Sequence, residues 1–226
     1  MTHDHDESRR PVTSRNTKWA PRIAFWLKSV GFKPNTISVI STIFALAGAA
    51  GFFCSACPGD ALTRALWLLL GVIGILGRLL CNLFDGLVAV EGGLKTATGE
   101  IFNDLPDRIS DLVLMVASGY AAAMQVGNTD AWHQAGWCAA ALSILTAYIR
   151  YLGAAQKVGH FFLGPMAKQQ RMAVLILSAI LSVALEPHLL KVGTCFRAGL
   201  VIIIVGSIIT CVRRVRKIAA ALNKAG

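Results

Sequence analysis

Asn82, Asp85, Asn103 and Asp107 are the side chains best suited to hold a cation or move a proton, and two spacings group them. Asn82, Asp85, Gly86 and Ala89 recur at i, i+3, i+4 and i+7, so a helix carries them on one face. Gly99, Asn103, Asp107 and Asp111 follow at steps of four, a second shared face that drifts slowly round its helix. Two carboxylates and two amide carbonyls form an all-oxygen set. Hard divalent cations such as magnesium or manganese prefer that set, and they commonly bind phosphates too. Gly86, Ala89 and Gly99 are small enough to let a ligand approach. The plainer reading is structural. Asp104 and Arg108 stand at i, i+4 and can pair, and Glu91 and Glu100 can sit solvated at a water interface.

The elements that position these residues are apolar. Hydrophobic residues make up 55% of the 226-residue chain and charged residues only 15%, yet six of the twelve acids fall between positions 82 and 111. The uncharged runs predict an all-α integral membrane fold of about six transmembrane helices, at roughly 36–57, 63–84, 101–125, 132–153, 172–190 and 196–213. A large soluble all-α core is the alternative, and the length of the runs argues against it. "ALAGAAG" (45–51), "GVIGILG" (71–77) and "GYAAA" (119–123) supply small residues for close helix packing.

Charge placement predicts orientation. Sixteen of the 22 Lys and Arg residues lie before the first span, in the second-to-third and fourth-to-fifth connections, or after the last span. The opposite loops hold Arg64, Lys191 and Arg197. The positive-inside rule therefore places both termini and residues 86–98 in the cytoplasm. So basic a surface suits anionic membrane lipids, and no nucleic-acid partner is expected.

Residues 1–15 read as a disordered tail, charged and without apolar period. Residues 16–33 read as an amphipathic juxtamembrane helix with Trp19, Ile23, Trp26, Leu27 and Val30 as its stripe, and 34–226 as the membrane domain. No cleavable signal is expected. Cys54 and Cys57 have half the spacing of a zinc or redox site, but without a second pair they read as small apolar residues. The five histidines lack ligand spacing outside the N-terminal "HDHDE".

With these spacings in hand, the chain resembles the CDP-alcohol phosphatidyltransferase family, whose signature is D-x2-D-G-x2-A-R-x8-G-x3-D-x3-D. Asp85, Gly86, Ala89, Gly99 and Asp107 match at the required intervals, while Asn82, Val90 and Asn103 replace two aspartates and the arginine. "KPN" before the first span and the leading amphipathic helix extend the likeness over nearly the whole chain. The resemblance implies that Asp85 and Asp107, with Asn82 and Asn103 as weaker neutral ligands, hold a divalent ion on the pyrophosphate of CDP-diacylglycerol or another CDP-alcohol. It implies that Asp107 is the base for an acceptor alcohol, that Gly86, Ala89 and Gly99 make room for the nucleotide, and that the protein is a homodimer. The implied location is a bacterial inner membrane with the site facing the cytoplasm. Arg78 stands one turn before Asn82 and could replace the missing arginine. Arg150, Lys168 and Arg171 are candidates for an acceptor phosphate or, equally, snorkelling and topology-setting charges.

The sequence supports two rival readings: a non-catalytic member that binds nucleotide or lipid headgroups, and a small transporter using the acids as an ion path. The transporter reading is the weaker, because there is no internal repeat and the last three spans lack deep acids.

Overall fold

Inside a bilayer every backbone N–H and C=O must find its partner within the segment, so long apolar runs become helices. The computed structural model describes residues 20–91, 98–124, 129–159, 161–186 and 188–225. A short helix α1 (Ala20–Ser29) precedes α2 (Pro34–Cys54), α3 (Ala61–Glu91), α4 (Gly99–Ala122), α5 (Thr129–Ala155), α6 (Lys168–Leu185) and α7 (Thr194–Ala225). The expected tail at 1–15, Trp19, and most of the expected turn after Glu91 lie outside the described residues.

The six expected spans correspond to α2 through α7, with one correction. Among the described residues, five helices are long and apolar enough to cross a membrane: α2, α3, α5, α6 and α7. At 24 residues α4 is long enough, but Asp104, Asp107, Arg108 and Asp111 stand in it. The same charges that make α4 a candidate for chemistry lower its hydropathy.

α1 packs on α3. Leu27 joins the cluster formed by Ile37, Leu87 and Val88, whereas Phe25, Trp26 and Val30 stay exposed. The expected apolar stripe is thus divided, with Leu27 turned to the protein and Trp26 turned outward. A helix lying at a bilayer surface has a use for both faces.

The core is built on small residues. A Cβ placed on Gly74 would stand 2.5 Å from Gly48 Cα, and one on Gly51 would stand 2.6 Å from the Trp67 carbonyl oxygen, so α2 and α3 meet backbone to backbone. Gly119 and Gly136 do the same for α4 and α5. Phe52, Leu68, Ile75, Leu114, Met172, Leu175 and Phe196 fill the centre.

The short connection predicts α3 and α4 as antiparallel neighbours whose polar faces meet across a gap, and Asn82 on α3 does reach Asp107 on α4; α2 packs extensively against both helices. Long side chains, rather than backbones, join α3 to α4. Successive helices reverse direction, so the C-terminus of α3 and the N-termini of α2, α4 and α6 gather at one end. The gap between α3 and α4 opens there.

Candidate functional site

The gap takes one wall from each side. Asp85 on α3 is buried, and Ser38 Oγ on α2 donates to its Oδ2 at 2.8 Å. Asn82, one turn away, accepts from Ser41 Oγ at Oδ1 (3.0 Å) and donates from Nδ2 to Asp107 Oδ1 (3.0 Å). Ser38 and Ser41 are one turn apart on α2, so one helix face holds both α3 residues. These two serines were missed as site residues. The available signal was a pair of hydroxyls at i, i+3 on one face of the span, beside Thr36 and Thr42.

Asp107 on α4 is the meeting point. Lys168 Nζ, from the first residue of α6, lies against both its carboxylate oxygens. Arg78 Nη2 stands 3.5 Å from Oδ1 and donates to the Asp107 carbonyl at 3.2 Å, and Arg108 Nη2 is 3.9 Å from Oδ2. Pro106 immediately precedes it inside the helix. Proline has no N–H, so the Phe102 carbonyl loses its usual helical donor.

Below Asp107 lies a buried ionic cluster. Asp111 accepts from Arg78 Nη2 at Oδ1 (2.7 Å) and from Arg171 Nη2 at Oδ2 (2.8 Å). Arg171 also donates to Thr146 Oγ1 and the Met166 carbonyl, and Arg78 Nη1 approaches Met172 Sδ at 3.1 Å. The Asp111 and Arg78 side chains have no exposed area and Arg171 has 2%. Charges buried this far persist only in compensation of one another. Arg78 and Arg171, read from sequence as phosphate-binding candidates, are therefore committed to Asp111. That aspartate lies one turn past the signature.

Arg150 is placed elsewhere. Its Nη2 pairs with Asp104 Oδ1 at 3.2 Å, and its guanidinium lies over the rings of Tyr151 and Phe162. Arg108 contacts Asp104 more loosely, at 3.8 Å. The expected Asp104–Arg108 pair is thus present, but Arg150 is the closer partner. Asn103 is exposed one turn before Asp107, and Gly86, Ala89 and Gly99 are half-buried. The side chains of Val90, Glu91 and Glu100 lie outside what is described.

Among the described residues, no group of three Asp, Glu, His or Cys side chains is placed to hold a metal. The donor set nevertheless fits one ion. Asp85 and Asp107 carry two formal negative charges, Asn82 bridges toward Asp107, and every candidate ligand atom is oxygen. A set of that charge balances one hard divalent cation but not two. Amide oxygens can ligate such an ion, though without charge.

No family model matches this sequence, and neither does any curated protein. The fold, however, is that of solved structures of phosphatidylinositol phosphate synthase from Mycobacterium tuberculosis. The structure with CDP-DAG bound aligns with a TM-score of 0.71 and 22% identity over 89% of this chain and 94% of that one. The complex with manganese and citrate aligns at 0.70 and 22% over 88% of each chain. The apo form gives 0.68 and 22% over 86% of this chain and 93% of that one.

Proposed function

We propose that this integral membrane protein is a transferase of the CDP-alcohol phosphatidyltransferase type. It would move a phosphatidyl or related phosphoryl-alcohol group from CDP-diacylglycerol or another CDP-alcohol to an acceptor hydroxyl, in phospholipid synthesis. One observation carries the reading. Asp85 and Asp107, at the signature interval, are buried at the same end of the bundle, where Asn82, one turn before Asp85, donates to Asp107 beside a lysine, in a fold shared with a structure that holds CDP-DAG.

The chemistry follows from the side chains. The acceptor oxygen forms a bond to the β-phosphorus, and the bond from that phosphorus to the bridging oxygen breaks. CMP leaves with the electron pair. Asp107 takes the acceptor proton, and the Asn82 amide holds one of its oxygens in place. Lys168, Arg150 at the rim and Arg108 are exposed enough to meet phosphate, at 23%, 22% and 19% of their side-chain area. Arg78 and Arg171 position α3, α4 and α6 through Asp111. Gly86, Ala89 and Gly99 leave room for the nucleotide. Asp85 and Asp107, with Asn82 and Asn103 as neutral oxygens, would hold magnesium or manganese; when bound, that ion stabilises charge on the transferring phosphoryl group.

The charge asymmetry supports a cytoplasmic position for this end, in what would be a bacterial inner membrane. The working unit would be a homodimer, as the resemblance to the family implies. A second reading, nucleotide or headgroup binding without transfer, is favoured by the amide hydrogens, rather than the oxygen, that Asn82 turns to Asp107.

The deciding experiment is CMP release by purified protein given CDP-diacylglycerol, magnesium and a panel of alcohols. Asp85→Ala and Asp107→Ala should both fall to background, whereas Asp104→Ala should remain active. Nucleotide binding without CMP release from any alcohol would favour the second reading.

A further inference from the structure

α6 begins with the wrong charge. Its first turn carries Lys168 and Arg171 and no acid, and Ala167 before it provides no side-chain cap. A helix N-terminus already presents partial positive charge, so cations there need an external anion. Arg171 has Asp111, deep in the protein. Lys168 pairs with Asp107, on another helix, and lies against both of its carboxylate oxygens, with Asp111 and Asp85 as further anions nearby. Arg171 is fixed by three hydrogen bonds, to Thr146, Met166 and Asp111, and is 2% exposed, while Lys168 is 23% exposed and reaches the gap.

Asp107 is also one of only two acids among the metal-ligand candidates. We infer that Lys168 is a tethered competitor of the divalent ion. Its ammonium neutralises Asp107 while the site is empty, and it yields that carboxylate when phosphate arrives to receive the ammonium instead. The inference rests on the reading above, in which Asp85 and Asp107 share the ion. It depends on this chain's own departures. With aspartates at 82 and 103, one lysine would cancel a small part of the site's charge. With Asn82 and Asn103 it cancels half, leaving the charge of one carboxylate among the four positions. Metal alone should therefore bind weakly, and metal and nucleotide should strengthen one another's binding reciprocally.

The test is Mn²⁺ binding to the purified full chain in detergent, read from the paramagnetic resonance of the free ion, with and without CDP. Without nucleotide, Lys168→Met should bind Mn²⁺ about tenfold more tightly than wild type or better, and Lys168→Arg should stay within about threefold of wild type. Saturating CDP should shrink the difference between Lys168→Met and wild type to less than about threefold. Lys168→Gln provides a second neutral variant, and melting curves show whether each is folded. Equal or weaker Mn²⁺ binding by the folded neutral variants overturns the inference. So does failure of every variant to bind Mn²⁺ at millimolar concentration. CDP binding, followed separately by calorimetry, distinguishes this outcome from failure of the transferase reading: no CDP binding rejects that reading, while the nucleotide-free Mn²⁺ ratio still decides the role of Lys168.

Discussion

Asn82 Nδ2 donates to Asp107 Oδ1 across the gap between α3 and α4, at 3.0 Å, while its own Oδ1 is held by Ser41. Asn82→Asp replaces that donor with a second carboxylate. In the metal-free protein the lost hydrogen bond and the added repulsion should cost about 1–3 kcal/mol of stability. Together with Asn103→Asp, the change should tighten Mn²⁺ binding by about tenfold to a hundredfold, because two charges are added within reach of the ion and part of their effect is lost to desolvation. Mn²⁺ titration of the double variant checks this. Unchanged affinity would remove position 82 and position 103 from the ligand set.

Asp111 balances two buried arginines, so its loss should be structural. Asp111→Asn leaves Arg78 and Arg171 without their shared counter-charge and should destabilise the fold by about 3–5 kcal/mol. Asp104→Asn removes the counter-charge of Arg150 and Arg108, at partly exposed side chains, and should cost less than about 1 kcal/mol. Unfolding in mixed detergent compares the two. A reversed order would show that the buried cluster is not what holds α3, α4 and α6 in register.

The far end of the bundle has its own acidic staple. Glu186 accepts hydrogen bonds from the Gly193 and Cys195 N–H groups and from Ser182 Oγ, and pairs with Arg64 at 2.8 Å. Burial alone would raise its pKa. The two backbone donors, Arg64 and Ser182 outweigh that and hold it below the ordinary glutamate value of 4.5. A depressed folded-state pKa gives stability that is fully present above 4.5 and lost as the pH falls through the folded value. Glu186→Gln should therefore be less stable than wild type by about 1–3 kcal/mol at neutral pH. The difference should narrow below 4.5. Melting temperatures of both proteins across an acid series test the sign, and a gap that widens in acid would contradict it.

Gly74 and Gly48 let α2 and α3 touch. A Cβ on Gly74 would meet the Cα and N of Gly48 at 2.5 and 2.6 Å, and backbone cannot rotate away as a side chain can. Gly74→Leu should cost about 1–3 kcal/mol or more and, by shifting α3, displace Asn82 and Asp85 from Ser41 and Ser38. CDP affinity and melting temperature should fall together in this variant. Loss of stability with undiminished CDP affinity would mean that the site tolerates movement of α3.

Topology is testable by cysteine labelling in intact cells. A cysteine at Asn128 should react from outside and one at Thr98 should not, because the basic connections lie on the Thr98 side. Reaction at Thr98 with protection at Asn128 would put the site on the opposite face.

The sequence alone determined the helices and the local faces. Apolar runs of spanning length have one backbone solution in a bilayer, so α2, α3, α5, α6 and α7 follow from composition, and α4 from its length and helical period. The spacing from Asn82 to Ala89 and from Gly99 to Asp111 likewise follows from helical period. What period cannot express is which helix stands opposite. The sequence set Asn82 and Asp85 opposite Asn103 and Asp107 across a gap, but not the helix behind them: the backbone contacts of Gly48 and Gly51 draw α2 against α3, and α2 packs on α4 as well. Only that arrangement puts Ser38 and Ser41 behind Asp85 and Asn82, and opens a gap that side chains must bridge. The same holds for the cations. Arg78, Arg150, Lys168 and Arg171 look alike as basic residues near apolar spans. Their roles separate only when burial assigns Arg78 and Arg171 to Asp111 and the direction of α6 brings Lys168 to Asp107. Charge pairing over separations of 33 and 60–61 residues depends on how whole helices are placed. No local pattern encodes that placement.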